Sequence, residues 1–218
     1  MRHLCVISAL IALSGMMTVS GCGSTMIAAK EYMGIPKRDQ MVARVQDARD
    51  SQNSAKQEFS SALDEFLAVT KVDGGDLEVK YKKFEAKYKS CDAAASTVRS
   101  RIADVERVSN ALFAEWAKEN AQINTPTLRA ESESDLAKNK ELYEKLLGSM
   151  KTAAGKMDKP LSNFKDQTIY LKHKLNAKAI AGLQGTAQQI SADVETLIKE
   201  MNSSIDEANA FIAQMQTK

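Results

Sequence analysis

The chain is poor in the residues that punctuate strand-rich folds. Its 218 residues include only 3 Pro, 10 Gly and 12 aromatics. Doubly wound α/β enzymes and β-sandwiches need many Gly- and Pro-rich turns, and three prolines cannot serve a set of eight strands. Charge of one sign is also lacking: 30 Lys+Arg stand against 28 Asp+Glu, for a formal net charge of +2. That balance excludes the broad basic excess of a nucleic-acid binder, so no nucleic-acid partner is expected. What is present is 44% hydrophobic residues, too many for a disordered tail. The abundance of Ala, Lys, Glu, Leu, Ser and Gln favours long helices.

The first 35 residues read as an address and a tether. Arg2 supplies a positive start, and the apolar run over residues 4–13 is too short to span a bilayer as a helix. It leads to Val19-Ser20-Gly21-Cys22, which resembles the lipobox of bacterial lipoproteins. That resemblance implies diacylglyceryl transfer to the Cys22 thiol, cleavage before Cys22 and acylation of the new amine. A sulfur nucleophile is what such a transfer needs. Residue 23 is Gly rather than Asp, which by resemblance to Gram-negative sorting points to the outer membrane. Residues 1–21 are thus expected to be a signal peptide and 22–35 a lipidated tether, with an extended reach of at most ~43 Å. Because Met26, Ile27, Tyr32, Met33 and Ile35 are apolar, the tether either lies against the membrane or packs on the folded body. Packing is the favoured expectation, since Lys30 and Glu31 form no basic face for lipid head groups. Cleavage removes Arg2 and no acid, so the mature balance is 29 basic to 28 acidic residues.

From Pro36 the pattern is heptad. Val45, Ala48, Gln52, Ala55, Phe59, Ala62, Phe66 and Val69 recur at alternating spacings of four and three. A second series runs from Leu77 through Tyr81, Phe84, Tyr88, Cys91 and Ala95 to Trp116, a third from Leu136 through Asn139 and Tyr143 to Phe164, and a fourth from Ile180 to Met215. A 3.5-residue repeat places one apolar seam along each helix, so the aromatics on these seams read as core.

The breaks follow helix chemistry. Pro36 suits a first helical turn. Asp73-Gly74-Gly75-Asp76 predicts a left-handed glycine cap followed by Asp76 as N-cap, and Asn124-Thr125-Pro126 predicts Thr125 as cap with Pro126 at the first position. The third turn is placed at Leu175-Asn176-Ala177 with Asn176 left-handed; residues 182–185 are the alternative, and an unbroken helix is a third option. Pro160 is expected to kink the third helix. A turn at Asn176 yields helices of about 36, 48, 50 and 40 residues, roughly 55 to 75 Å long. Such lengths suit an all-α, elongated antiparallel bundle or coiled coil of about four long helices over residues 36–218.

Residues for chemistry are scarce. His173 is the one histidine after the signal and lies between two lysines, a poor setting for a cation ligand. Cys91 lies on the second seam and reads as a buried apolar thiol rather than a nucleophile; an intermolecular disulfide is the minority reading. The acids of Asp73-Gly74-Gly75-Asp76-Leu77-Glu78 lack the twelve-residue spacing of an EF-hand. No catalytic residue, metal site or cofactor is expected. In an antiparallel bundle, Lys80, Lys82, Lys83, Lys87 and Lys89 share the end far from the lipid with Lys172, Lys174 and Lys178. Asp73, Asp76, Glu78 and Glu85 partly cancel them, which leaves a weakly basic end that would suit an anionic partner such as the cell wall or a second membrane, with an ordinary charged surface as the plainer reading.

Several stretches resemble an uncharacterised family of bacterial lipoproteins known only as domain of unknown function 2959. They are Lys37-Arg38-Asp39, Val45-Gln46-Asp47-Ala48-Arg49-Asp50, Phe66 through Asp73-Gly74-Gly75-Asp76-Leu77, and Ala111-Leu112-Phe113-Ala114-Glu115-Trp116. Phe164-Lys165-Asp166-Gln167, residues 171–180 and Leu183-Gln184-Gly185 complete them. The resemblance covers residues 32–211 and implies no activity. The expected function is that of a non-enzymatic outer-membrane lipoprotein facing the periplasm: a tether, scaffold or binding protein. Its expected partners are the membrane, through the lipid anchor, an envelope protein or cell-wall component, and a second copy of itself. Leu171, Lys172, His173, Lys174, Asn176 and Lys178 form the candidate partner-binding surface, and Cys22 is the lipidation site. A curved dimer that binds membrane shape is the alternative, weakened by the even charge; an enzyme is a distant third.

Overall fold

The computed structural model describes residues 22–72 and 76–216. The expected signal peptide at 1–21, with Val19, Ser20 and Gly21 of the lipobox, lies outside the described residues. So do Asp73, Gly74 and Gly75, and with them the expected glycine cap of the first turn. The fold is all-α. The described helices are α1 (Cys22–Tyr32), α2 (Lys37–Thr70), α3 (Leu77–Asn120), α4 (Pro126–Lys156), α5 (Asp158–His173) and α6 (Ala177–Gln216).

The seams become the core. Val45, Ala48, Gln52, Ala55, Phe59, Ala62, Phe66 and Val69 are all buried, as are Leu136, Asn139, Tyr143, Leu146, Met150, Ala153, Met157 and Phe164. In the other two series only Tyr88, Trp116 and Ala187 are partly exposed. Neighbours among the long helices run in opposite directions. Between α2 and α3, Phe66 meets Phe84 at 5.4 Å between ring centroids, the Lys87 ammonium donates to Glu58 (3.2 Å), and Lys37 donates to Glu115 (2.7 Å). Position rises along one helix as it falls along the other. The same holds for α2 and α6, where Lys56 donates to Asn202 (2.9 Å) and Gln184 to the Thr70 carbonyl (3.0 Å). Helices α2 and α4 each pack on both α3 and α6, and α5 continues the α4 rod against the same two partners. Five of the six described helices, α2 to α6, therefore form four rods, with α1 packed beside them; α3, the longest at 44 residues, spans about 66 Å.

The count of about four long helices needs correction at two places. First, the third rod is two helices, interrupted for one residue at Met157, whose φ −70° and ψ −26° stay helical, close to the kink expected at Pro160. Proline at position 160 has no N–H for the Lys156 carbonyl and its ring crowds that carbonyl. The interruption falls there: α4 ends at Lys156, the Met157 N–H turns back to Ala154 (3.3 Å), and α5 begins at Asp158. Second, α1 is a helix where an extended tether was expected.

The caps also differ in detail. Pro36 precedes the first helical residue instead of occupying it, with φ −58° and ψ 150°. Asp76 and Thr125 occupy the N-cap positions without a side-chain capping bond, and Pro126 opens α4 as expected. Asn176 is not left-handed, since no described non-glycine residue has positive φ. Its carboxamide oxygen instead accepts the Ala179 N–H at 3.0 Å, which makes it the N-cap of α6. A residue that satisfies an orphan N–H at the start of a helix has no need of the left-handed region.

Candidate functional site

Two ends of the bundle carry the residues singled out by sequence. At one end, Cys22 is the first residue of α1. The helix stops at Tyr32 by a Schellman motif: Gly34 takes φ +84°, its N–H bonds to the Glu31 carbonyl (2.8 Å), and the Ile35 N–H bonds to Lys30 (3.0 Å). Glycine is favoured there because a Cβ resists positive φ. The chain then reverses into α2. The Gln40 carboxamide locks the reversal by donating to the carbonyls of Ile27 (3.1 Å) and Ile35 (2.9 Å). Ile27 is buried in the core, and the Lys37 ammonium bridges Glu31 and Glu115. The hydrogen bond from Lys37 draws the Glu31 carboxyl below its usual pKa. Burial opposes the charge on Lys37, but the two carboxylates outweigh it and hold the ammonium above its usual value. The expectation that this segment packs on the body holds for Ile27. Met26, Tyr32, Met33 and Ile35 remain exposed, at 57%, 96%, 67% and 40%.

At the opposite end, the α5–α6 turn presents most of the candidate surface. Lys172, His173, Lys174, Asn176 and Lys178 are exposed. Leu171 is not part of that surface: it is fully buried as the last core residue of α5, because its helical phase points it inward with Phe164 and Thr168. Sequence reasoning missed the apolar residues beside the basic ones. Ile169, Tyr170 and Leu175 are exposed, and the Lys174 ammonium stands 5.3 Å from the centre of the Tyr170 ring. The expected partial cancellation on α3 is seen in Lys82 with Glu78 (2.7 Å) and Lys89 with Glu85 (3.0 Å), and Glu58 of α2 adds a pair with Lys87 (3.2 Å).

A cavity of about 270 Å³ opens where the start of α2 meets the end of α3, α4 and the end of α6. Leu112, Trp116 and Met215 line it, with Arg38, Glu115 and Glu119 also on its walls. The Trp116 indole donates to Ser132 (2.9 Å), which donates to Asn120 (2.6 Å). The chain's one tryptophan is thus a half-buried wall with a fixed hydrogen bond; its lone occurrence was the signal in the sequence.

Cys91 is buried, and burial pushes its thiol up to about 12, so it is held as an inert protonated thiol at neutral pH. Among the described residues no group of three or more His, Cys, Asp or Glu side chains is placed to hold a metal ion. No described helix is long and apolar enough to cross a membrane.

These features define an all-helical bundle with heptad cores, an N-terminal docking helix and an exposed basic turn at the opposite end. The chain belongs to the family described as "Protein of unknown function (DUF2959)", which matches residues 27–215. No curated protein and no solved structure matches it.

Proposed function

We propose that the protein is a non-enzymatic lipoprotein of the bacterial outer membrane. The lipid on Cys22 anchors it, and its elongated antiparallel bundle faces the periplasm as a scaffold for another envelope component. The observation that carries this reading is the placement of the lipobox cysteine at the start of the helix docked on one end of the rods, with the exposed Lys172, His173, Lys174 and Lys178 at the other. Lipid supplies position and the basic turn supplies recognition; Ile169, Tyr170 and Leu175 add apolar area beside the charges. An anionic envelope partner, protein or cell wall, fits that combination. The four seams close on one another within one chain, so burying them does not require a second copy.

Metabolic labelling with palmitate tests the anchor. Label on the wild-type chain that is lost in Cys22→Ala, with globomycin leaving the uncleaved precursor, supports it; an unlabelled wild type overturns it. Photo-crosslinking in cells from positions 170 and 174, read by mass spectrometry, tests the surface. A defined adduct that weakens in Lys172→Glu/Lys174→Glu supports the surface; adducts no different from those at exposed position 133 overturn it.

A further inference from the structure

Helix α1 is packed on one side only. Ile27 is its one buried side chain among residues 25–32, while Thr25, Met26, Ala28, Ala29, Glu31 and Tyr32 are exposed. Met26, Ala29 and Met33 follow one another at spacings of three and four, so they share a stripe. Tyr32 and Ile35 extend the apolar surface around the Schellman turn. The direction of α1 matters as much as its composition. Its last turn shares Lys37 with Glu115, whereas Met26, Ile27 and Lys30 lie around one groove with Asp104, Arg107 and Val108, two to three turns earlier in α3. The helix therefore runs along the flank of the bundle, parallel to α3. Cys22 starts it about 15 Å back from the Tyr32 end.

We propose that α1 is an interfacial helix: the stripe of Met26, Ala29 and Met33, with Tyr32 and Ile35, seats in the head-group region of the bilayer and holds the bundle flank-on against the membrane. The proposal rests on the lipidation of Cys22 and deepens it. A lipid attached at the first residue of α1 brings the bilayer within covalent reach of this surface. An apolar stripe of this kind binds an interface by the area it buries. Tyrosine is a residue suited to the head-group boundary, where its ring is apolar and its hydroxyl is wet. Lys30, Arg44 and Arg107 border the groove beside α1 and place positive charge near the same lipid head groups, with Asp104 and Asp47 answering Arg107 and Arg44 on the protein side. Because α1 lies along the rods, seating its stripe lays the rods along the surface. The α5–α6 turn then meets partners in the layer next to the membrane.

The test uses the full lipidated chain in vesicles of phosphatidylethanolamine and phosphatidylglycerol. An environment-sensitive fluorophore is placed by Met33→Cys, by Met26→Cys in a second variant, and by Lys145→Cys, in the groove between α4 and α6 on the flank away from α1, as a control, each in a Cys91→Ala background. All three positions are more than half exposed, so labelling does not disturb packing. Labels at 26 and 33 are expected to lose about half their emission to brominated lipid and to resist iodide, while the label at 145 behaves oppositely. If palmitate is on Cys22 but the labels at 26 and 33 are quenched by iodide and not by brominated lipid, the interfacial helix is overturned and the anchor stands. If palmitate is absent from the wild type, both fall.

Discussion

The Ser204 hydroxyl donates to the Gln52 carboxamide oxygen at 3.1 Å across the α2–α6 seam, with both side chains fully buried and 152 residues apart in sequence. The Gln52 amide nitrogen has no partner among the described residues. A polar pair in an apolar seam costs stability and fixes register, as a buried Asn does in a coiled coil. Ser204→Ala alone strands the Gln52 oxygen and is expected to cost about 1–3 kcal/mol. The double variant Gln52→Leu/Ser204→Ala is expected to be near neutral or more stable. Urea denaturation of the four chains of this cycle checks it; an additive double variant contradicts it.

Phe164 is the hub of an aromatic cluster. Its ring lies 5.6 Å from Phe84, edge-on at 81°, 6.4 Å from Phe66 and 6.5 Å from Phe59. It joins α5 to both α2 and α3 just after the break at Met157. Phe164→Ala is expected to destabilise by about 3–5 kcal/mol, read as a lower urea midpoint at unchanged slope. Tyr88→Ala, a partly exposed seam position, is expected to cost clearly less.

Asn176 separates two readings of the last turn. As an N-cap, Asn176→Ala costs about 1 kcal/mol, whereas Asn176→Ser is nearly neutral because a hydroxyl also accepts the Ala179 N–H. A left-handed residue would show the reverse preference, with Asn176→Gly the best tolerated. Thermal melts of the three variants decide between them.

Alkaline pH is expected to weaken the fold through Cys91. Its folded pKa is raised from 9.0 to about 12 by burial. Below pH 9 folded and unfolded chains both keep the proton, and stability is unaffected. As pH rises from 9 towards 12 the unfolded chain releases it first, so stability falls, by a total on the order of a few kcal/mol. Burial raises Tyr81, Tyr88 and Tyr143 in the same direction. Urea midpoints at pH 8 and 10.5 should diverge, and less so in Cys91→Ala. A thiol reagent should leave Cys91 untouched at pH 8 until the chain unfolds.

The rods were legible because heptad spacing reports burial directly: the series from Val45 to Val69 is the buried face of α2, without exception. Chain reversals were less so. Pro160 predicts a disturbance of the third helix but not its form: the lost bond and the ring clash fall on the same carbonyl at Lys156, and the helix is interrupted for one residue at Met157. Asn176 is favoured in turns by two different mechanisms, and residue type alone does not separate them. Helix α1 was not legible. An eleven-residue helix, with one inward side chain among residues 25–32, holds little helix on its own; what fixes it is tertiary, the Gln40 carboxamide on the Ile27 carbonyl and Lys37 between Glu31 and Glu115. At the distal turn the basic residues were visible in sequence, but the burial of Leu171 and the exposure of Tyr170 depend on the phase of α5 after its break.

The central claim is that Cys22 carries the lipid that positions this bundle. Mass spectrometry of the N-terminal peptide, from the full chain expressed in a Gram-negative bacterium and extracted from its membranes, tests it most directly. The expected peptide begins at Cys22 and carries a thioether-linked diacylglyceryl group and an acylated amine. A peptide that begins elsewhere, or an unmodified Cys22, would contradict the account.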